Sequence, residues 1–412
     1  MAGGEGLPLL AAAGAHFCLL SGYYMLRSVR EAMALEAGRE HIPLLFTLTF
    51  FVMLVLLPVY WWVVARVRRD RLASVLYLPV VTLFLVIAAF VLGGRLSPAL
   101  AGTYFVGVTA MNLFVVSIFW SLMADLWSPD AAKRLFGFVA AGGSAGALAG
   151  PAFNALFVER VGAGASIVLA CMLLATAAVL VSIAQHRRAA ADPQSAPDPR
   201  LRVGGRARDD LARLVRSPYL LGIAGLIVGG QILGAFMYNE QARYVESAFT
   251  TLTERAALFA RIDLAVNVLA LMFQSLVVGW LTVRAGIGTS LAALWAIGCA
   301  SFVLLALVPT GTVLLATQVL RRAGDYGLFK PAREMLFTVL QPQSKFKSKS
   351  LLDTVLQRGA DSVGNGLYLL VAGLGLASIA WLSAAACVLL LLGARRLGTA
   401  FADRERRAAN MR

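Results

Sequence analysis

Charge is scarce in this chain. Only 14% of its 412 residues are Asp, Glu, Lys or Arg, against 59% hydrophobic. Soluble domains average about 25% charged and roughly 45–50% apolar residues. A water-soluble fold of this composition would lack the polar side chains to cover its surface. Together with a mean hydropathy of +0.76, that leaves a polytopic membrane protein. Cysteine is sparse as well: Cys18, Cys171, Cys299 and Cys387 stand far apart inside apolar runs. They read as small packing residues, not as a disulfide framework or a thiolate metal site. The three histidines, His16, His41 and His186, are equally scattered, so no metal centre is expected.

Enzyme signatures are also missing. The chain has no H-E-x-x-H and no Walker A sequence, which excludes P-loop ATP hydrolysis as its driving force. Gly142, Ser144 and Gly146 fit G-x-S-x-G, but a nucleophile elbow needs a strand-to-helix turn, and this one lies within an apolar helix pattern. No enzymatic activity and no cofactor are expected. Twelve spans of about 23 residues would use about 276 positions. That leaves no room for a sizeable catalytic or DNA-binding domain.

Apolar runs bounded by Gly, Pro or charge predict twelve spans, at about 8–31, 43–65, 72–94, 99–127, 135–158, 163–186, 218–245, 256–283, 289–308, 312–340, 350–374 and 377–394. A signal peptide needs a basic n-region. The first Lys or Arg is Arg27, beyond the first apolar run, so that run is expected to stay as span 1. The composition changes sharply at 187–217, where Pro193, Pro197 and Pro199 sit among many Arg and Asp. The expected organisation is a six-helix bundle over 1–186, a cytoplasmic linker over 187–217, a second bundle over 218–394 and a cytoplasmic tail over 395–412.

The net charge of +15 would suggest nucleic acid in a soluble protein. Here most of it sorts by loop, so no nucleic-acid partner is expected. With both termini inside, the inner segments carry 24 Lys or Arg and the outer loops four (Arg39, Arg95, Arg160 and Arg255). Positive charge stays on the cytoplasmic side, which sets the orientation. A short internal repeat relates the halves: Trp62 and Arg66 close span 2 at W-x-x-x-R spacing, and Trp280 and Arg284 close span 8 in the same way. The expected fold is an all-α membrane protein of twelve transmembrane helices in two six-helix halves. It resembles the plan of the major facilitator superfamily.

Nine cations remain inside the spans: Arg27, Arg30, Arg243, Arg261, Arg321, Arg322, Lys330, Arg333 and Arg358. Each costs about 2.5–3.5 kcal/mol at mid-bilayer, so they should line a cavity, pair with acids or reach an interface. At about 100° per residue, Tyr23, Arg27 and Arg30 share one face of span 1. In span 10, Arg322, Tyr326, Lys330 and Arg333 fall within about an 80° arc. Arg358, Asp361 and Asn365 share a face of span 11, and Asp263, Asn267 and Gln274 one of span 8. These faces suit a net cationic cavity where two bundles meet, because Arg grips phosphate oxygens bidentately and Lys adds a mobile charge. Ion pairing with Glu31, Glu240, Asp263, Asp325, Glu334, Asp353 and Asp361 is the structural alternative. For Arg243 and Arg261, near outer helix ends, pairing or snorkelling is the expectation. Gly142, Gly146 and Gly150 repeat at the spacing that lets another helix approach closely. Pro331 should kink span 10.

The stretch from Arg333 to Gly364 resembles the ATP/ADP translocases, nucleotide transporters of plastids and obligate intracellular bacteria. Arg333, Glu334 and Met335 match that family's K-E-M with Arg for Lys. Lys345, Lys347 and Lys349 match its lysine run, Asp353 its acid and Arg358 its arginine. LRSVRE at 26–31 is similar to its L-R-x-x-K-D. Phe119 and Trp120 are similar to its F-W, and Ala132, Lys133 and Arg134 to the start of its A-K-R-F. One position departs: Asp361 stands where the family has a late lysine.

The resemblance implies a compact bacterial relative in the inner membrane that works by alternating access and exchanges nucleotides or similar phosphorylated anions. Tyr23, Arg27, Arg30, Asp263, Asn267, Arg322, Lys330, Arg333, Arg358 and Asp361 are the candidate substrate-binding residues. Arg27, Arg30, Lys330, Arg333 and Arg358 would hold phosphate. The expected partners are an anionic small molecule and the bilayer, and the expected state is a monomer. A proton-coupled transporter using Asp263, Asp325 or Asp361 is the second expectation, and a non-transporting membrane sensor the third.

Overall fold

In the computed structural model, residues 6–127, 129–191, 217–337 and 351–410 are described, and no strand occurs among them. Helix is the solution that satisfies every backbone group inside lipid. We number the helices α1 (Gly6–Glu36), α2 (Ile42–Arg66), α3 (Arg69–Leu92), α4 (Pro98–Leu126), α5 (Pro129–Val161), α6 (Ala163–Ala191), α7 (Pro218–Ala248), α8 (Leu252–Met272), α9 (Gly279–Leu307), α10 (Gly311–Gly324), α11 (Lys330–Leu336), α12 (Gln357–Val371) and α13 (Leu376–Asn410). Three π-helical segments interrupt this order, at Phe273–Val278, Asp325–Phe329 and Leu351–Leu356. Local chemistry sets several starts. Ser97 and Thr310 accept from the backbone N–H groups of Leu100 and Val313. Thr251 and Glu254 form a reciprocal capping box at the start of α8.

Each predicted span overlaps helix in its described part, with ends one or two residues beyond it at Gly94, Trp127, Val308 and Phe337. Among the described residues nine helices are long and apolar enough to cross a membrane. One of them, Leu252–Leu307, runs 56 residues and breaks at Gly286, whose φ of 80° and ψ of 165° are open to glycine alone. The stretches Gly311–Leu336 and Leu351–Val371 are not among the nine. They carry the charged side chains that lower their hydropathy. At the C-terminus α13 continues through Asn410, well past the expected end of span 12. Leu397 and Phe401 remain buried, and Arg404 lies 4.5 Å from the Tyr219 ring, so this extension is packed helix. Most of the expected linker, 192–216, lies outside the described residues.

Backbone contacts divide the chain into two compact units, described residues of 1–202 with 248–264, and those of 203–247 with 265–412. In the first, α1 packs against α4, α5 and α6. The expected close approach at Gly142, Gly146 and Gly150 is present. An added Cβ at each would run into the backbone carbonyl of Ala13, Phe17 and Ser21 of α1 in turn. Successive turns of α5 therefore rest directly on the main chain of α1. The G-x-S-x-G pattern is part of this helical seam, not an elbow.

The core of the second unit gathers Leu291, Trp295, Phe302, Phe329 and Phe337. Here α9 and α13 meet backbone to backbone at Gly288 and Gly398. The W-x-x-x-R repeat has one geometry in both units. The Arg66 guanidinium sits 4.6 Å from the Trp62 ring and that of Arg284 5.3 Å from the Trp280 ring.

Candidate functional site

Each unit carries its own cluster of intramembrane cations. In the first, the Arg27 Nε lies 3.7 Å from Asp263 Oδ2 and 3.8 Å from Glu31 Oε1. Arg30 donates to Thr109 Oγ1 at 3.2 Å and to Glu31, with its guanidinium 5.2 Å from the Phe105 ring. Asp263 is 1% exposed and Glu31 5%, so two arginines face two buried carboxylates. Burying such charges is tolerable only when they are paired and hydrogen-bonded. Tyr23 is buried on the same face and packs edge-on against Tyr24.

A polar clamp behind this face fixes α1. Asn154 of α5, fully buried, donates to Met25 O at 2.9 Å and to Ser28 Oγ at 2.6 Å, and accepts from Ser166 Oγ at 2.7 Å. Tyr104 donates to Leu26 O at 3.1 Å. Helix α1 is thus held against its neighbours by named bonds within one turn of Arg27, which limits its freedom to rotate.

In the second unit, Asp361 of α12 accepts from Gln231 Nε2 at 2.8 Å and from Arg358 Nη1 at 3.3 Å. Asp361 therefore neutralises the neighbouring arginine. One turn on, Asn365 donates to Asp361 O and accepts from Asn239. Next, Tyr368 donates to Glu240 at 2.6 Å, and Arg243 lies 3.6 Å from Glu240 and donates to Ala372 O. A polar ladder thus ties α7 to α12. Arg261 is paired too, with Glu159 in the first unit at 2.9 Å.

The π segment at Asp325–Phe329 changes the phase of span 10. It sits just before Pro331, where the missing N–H and the ring disfavour an ordinary α turn. The Lys330 N–H instead bonds Asp325 O, five residues back. A π turn adds one residue without adding a turn, so the uniform 100° pitch behind the expected arc does not hold. The side chains follow. Lys330 Nζ lies 3.9 Å from Asp325 Oδ2 and 4.2 Å from the Tyr326 ring. Arg321, Lys330 and Arg333 line one cavity with Asp325; half-buried Arg322 is not among its lining residues. Arg333 is 6% exposed and lies 3.8 Å from Glu334.

Asp263 lies in the first unit beside Arg27. Half-buried Asn267 follows four residues later on the same helix, α8. Gln274 donates to Tyr326 O, linking two π segments. Lys345, Lys347 and Lys349 lie outside the described residues. Sequence reasoning did not select Gln231 or Thr109, and it named Arg321 only as one of nine in-span cations. Gln231 carried a signal, an amide in an apolar span; the placement of Arg321 with Lys330 and Arg333 depends on the π turn.

A larger cavity lies elsewhere in the first unit. This groove of about 730 Å³ is lined by apolar side chains of α2, α3 and α4, with His41 at one end. It holds none of the candidate residues, so volume alone does not mark the site.

No family model and no curated protein matches the chain. Solved structures do. A bacterial homologue of the iron transporter ferroportin, inward-facing, aligns at 13% identity over 95% of this chain and 98% of its own, with a TM-score of 0.67. A POT family transporter in complex with 5-aminolevulinic acid aligns at 12% identity over 95% and 96%, with a TM-score of 0.68. A bacterial homologue of the human lysosomal transporter Spinster aligns at 14% identity over 98% of both chains, with a TM-score of 0.55. The fold is of the major facilitator type. At such identities the likeness carries the architecture and leaves the solute to the side chains.

Proposed function

We propose that the chain is a secondary membrane transporter that moves a phosphorylated anion, of nucleotide type, by alternating access across a bacterial inner membrane, with both termini cytoplasmic. The observation that carries this reading is the placement of Arg27, Arg30, Lys330, Arg333 and Arg358 inside apolar helical units, each beside a carboxylate. Intramembrane ionisable groups are costly and mark solute pathways by default. Two helical units, with a linker expected over 187–217, fit the two-bundle plan of such carriers. The nucleotide follows from the resemblance of 26–31 and 333–364 to the ATP/ADP translocases.

Mechanistically, Glu31, Asp263, Asp325, Glu334 and Asp361 act as stand-ins for the solute's anionic groups. A phosphate that displaces a carboxylate from Arg27 or Arg30 gains bidentate bonds and frees that carboxylate. Ion pairs that are whole without solute and exchanged with it supply the differential interaction a conformational change needs. Asp361 distinguishes this chain from the family pattern, because it occupies Arg358 and weakens that arginine as a phosphate ligand.

Labelled ATP uptake into proteoliposomes loaded with ADP, phosphate or buffer tests the reading. Uptake that requires internal ADP, and that Arg27→Gln abolishes, is expected. Absence of uptake in every loading by folded protein overturns the nucleotide assignment. A second reading has an observation of its own: Asp263, nearly fully buried beside Arg27, is suited to carry a proton. Uptake of a solute driven by an imposed pH gradient, without counter-substrate, would select it.

A further inference from the structure

The second unit contains a small cavity in which Lys330, Arg333 and Asp325 of the transport reading meet Arg321 and Trp295, which that reading leaves out. Its wall is largely apolar, from Leu226, Phe302 and neighbouring side chains, yet it includes Arg321, Lys330 and Arg333 against the single carboxylate Asp325. Lys330 is within 3.9 Å of that carboxylate. Arg321 directs Nε and Nη2 to the neutral amide oxygen of Gln318, at 3.2 and 3.1 Å. Among the described residues no carboxylate forms an ion pair with it.

The second observation is independent of charge. Trp295 is 3% exposed and lines the same cavity, and its buried indole N–H has no hydrogen-bond acceptor among the described residues. A buried donor without an acceptor costs about 1–3 kcal/mol. Half-buried Arg321 and Lys330 share Asp325 as the one carboxylate among the lining residues, while Arg333 has Glu334 outside that lining. Trp295 and these cations line one cavity, and an anion would serve them together. Water would satisfy the N–H but not the excess charge. The cavity has a volume of about 20 Å³, against the roughly 10–15 Å³ that one water needs. That admits a monatomic guest. Arg321 lies ten residues into the helix that begins at Gly311, a rise of roughly 15 Å.

We propose that this cavity, framed by Arg321, Lys330, Arg333 and the Trp295 N–H, is a binding site for a monovalent halide ion, chloride in the cell. It compensates a net cationic pocket within the second unit. It rests on the transport reading only through Lys330 and Arg333, which it shares; Arg321 and the Trp295 N–H are its own. Lys and Arg side chains are the usual lining of anion pathways in membranes, and the apolar walls favour a weakly hydrated ion.

The test is thermal unfolding of the purified full-length protein in detergent, titrated with sodium chloride, bromide or phosphate against gluconate at constant pH and ionic strength. A saturable rise in Tm with chloride and bromide is expected. It should be lost in Arg321→Gln and Trp295→Phe, and kept in Arg27→Gln of the first unit. Should Arg321→Gln fail to fold, Trp295→Phe removes one N–H and decides the matter alone. No saturable rise in the parent protein means that water suffices and overturns the proposal. So does a rise with phosphate while halides behave as gluconate, which would give the cavity to an oxyanion. A halide effect that survives both substitutions overturns it as well.

Discussion

Two glycine-to-alanine changes in α5 should move stability in opposite directions. At Gly146 an added Cβ would be forced into the Phe17 carbonyl oxygen, with Phe17 C and Cα both at 3.0 Å. Those atoms are backbone in the middle of α1, so neither can swing aside as a side-chain end would. Helices α1 and α5 must separate or shear, and overpacking of this kind costs about 1–3 kcal/mol. At Gly137, in the same helix, nothing lies within 4 Å of the added Cβ. Only the helix-propensity term acts there, a gain of about 0.5–1 kcal/mol for alanine. The two variants should therefore differ by roughly 1.5–4 kcal/mol, Gly146→Ala melting below the parent and Gly137→Ala at or above it. Thermal unfolding of the purified variants in one detergent reads this directly. If both substitutions shift Tm the same way by similar amounts, the α1–α5 backbone seam is not what limits that helix pair. Gly142→Ala and Gly150→Ala should repeat the loss, since they meet Ala13 and Ser21 in the same manner.

Other consequences are as direct. Asn154→Leu keeps the volume but removes the acceptor of Ser166 Oγ, while Ser28 Oγ and Met25 O keep their bond to each other, so it should cost about 1–3 kcal/mol; a melting temperature equal to the parent's would refute the clamp. Asp263→Ala should destabilise, toward the lower end of about 3–5 kcal/mol because Arg27 keeps Glu31. Its loss should be partly recovered in the Arg27→Ala double variant, and strict additivity in that cycle would mean the pair is uncoupled. Trp62→Leu and Trp280→Leu should each remove a cation–π contact of about 0.5–1 kcal/mol at an exposed site. Unequal losses would show that the repeated motif is not used alike in the two units.

The same helices show how far the sequence could be followed. Spans were legible because a membrane crossing is a local demand: about 20 apolar residues whose backbone bonds close within the segment. The seam at Gly142, Gly146 and Gly150 was legible for a related reason, since helical spacing alone puts three missing side chains in one row. The paired W-x-x-x-R motifs are i, i+4 contacts and need no tertiary information. Arg358 with Asp361, at i, i+3, belongs to the same class.

What tertiary structure decided is whatever depends on phase or on a partner distant in sequence. Span 10 was laid out with a uniform pitch, and one π turn before Pro331 sufficed to seat Arg321 with Lys330 and Arg333. No pattern of residue types announces that extra residue. Asp263 was placed by composition with the second half of the chain, but its carboxylate faces Arg27, 236 residues earlier. Gln231 finds Asp361 across a gap of 130 residues. Sequence thus fixed the helices, their apolar character and the stock of buried cations, because these follow from one segment and its solvent. The choice of carboxylate for each cation, and which cations share a cavity, came only with packing, because a buried charge selects its partner by distance in space.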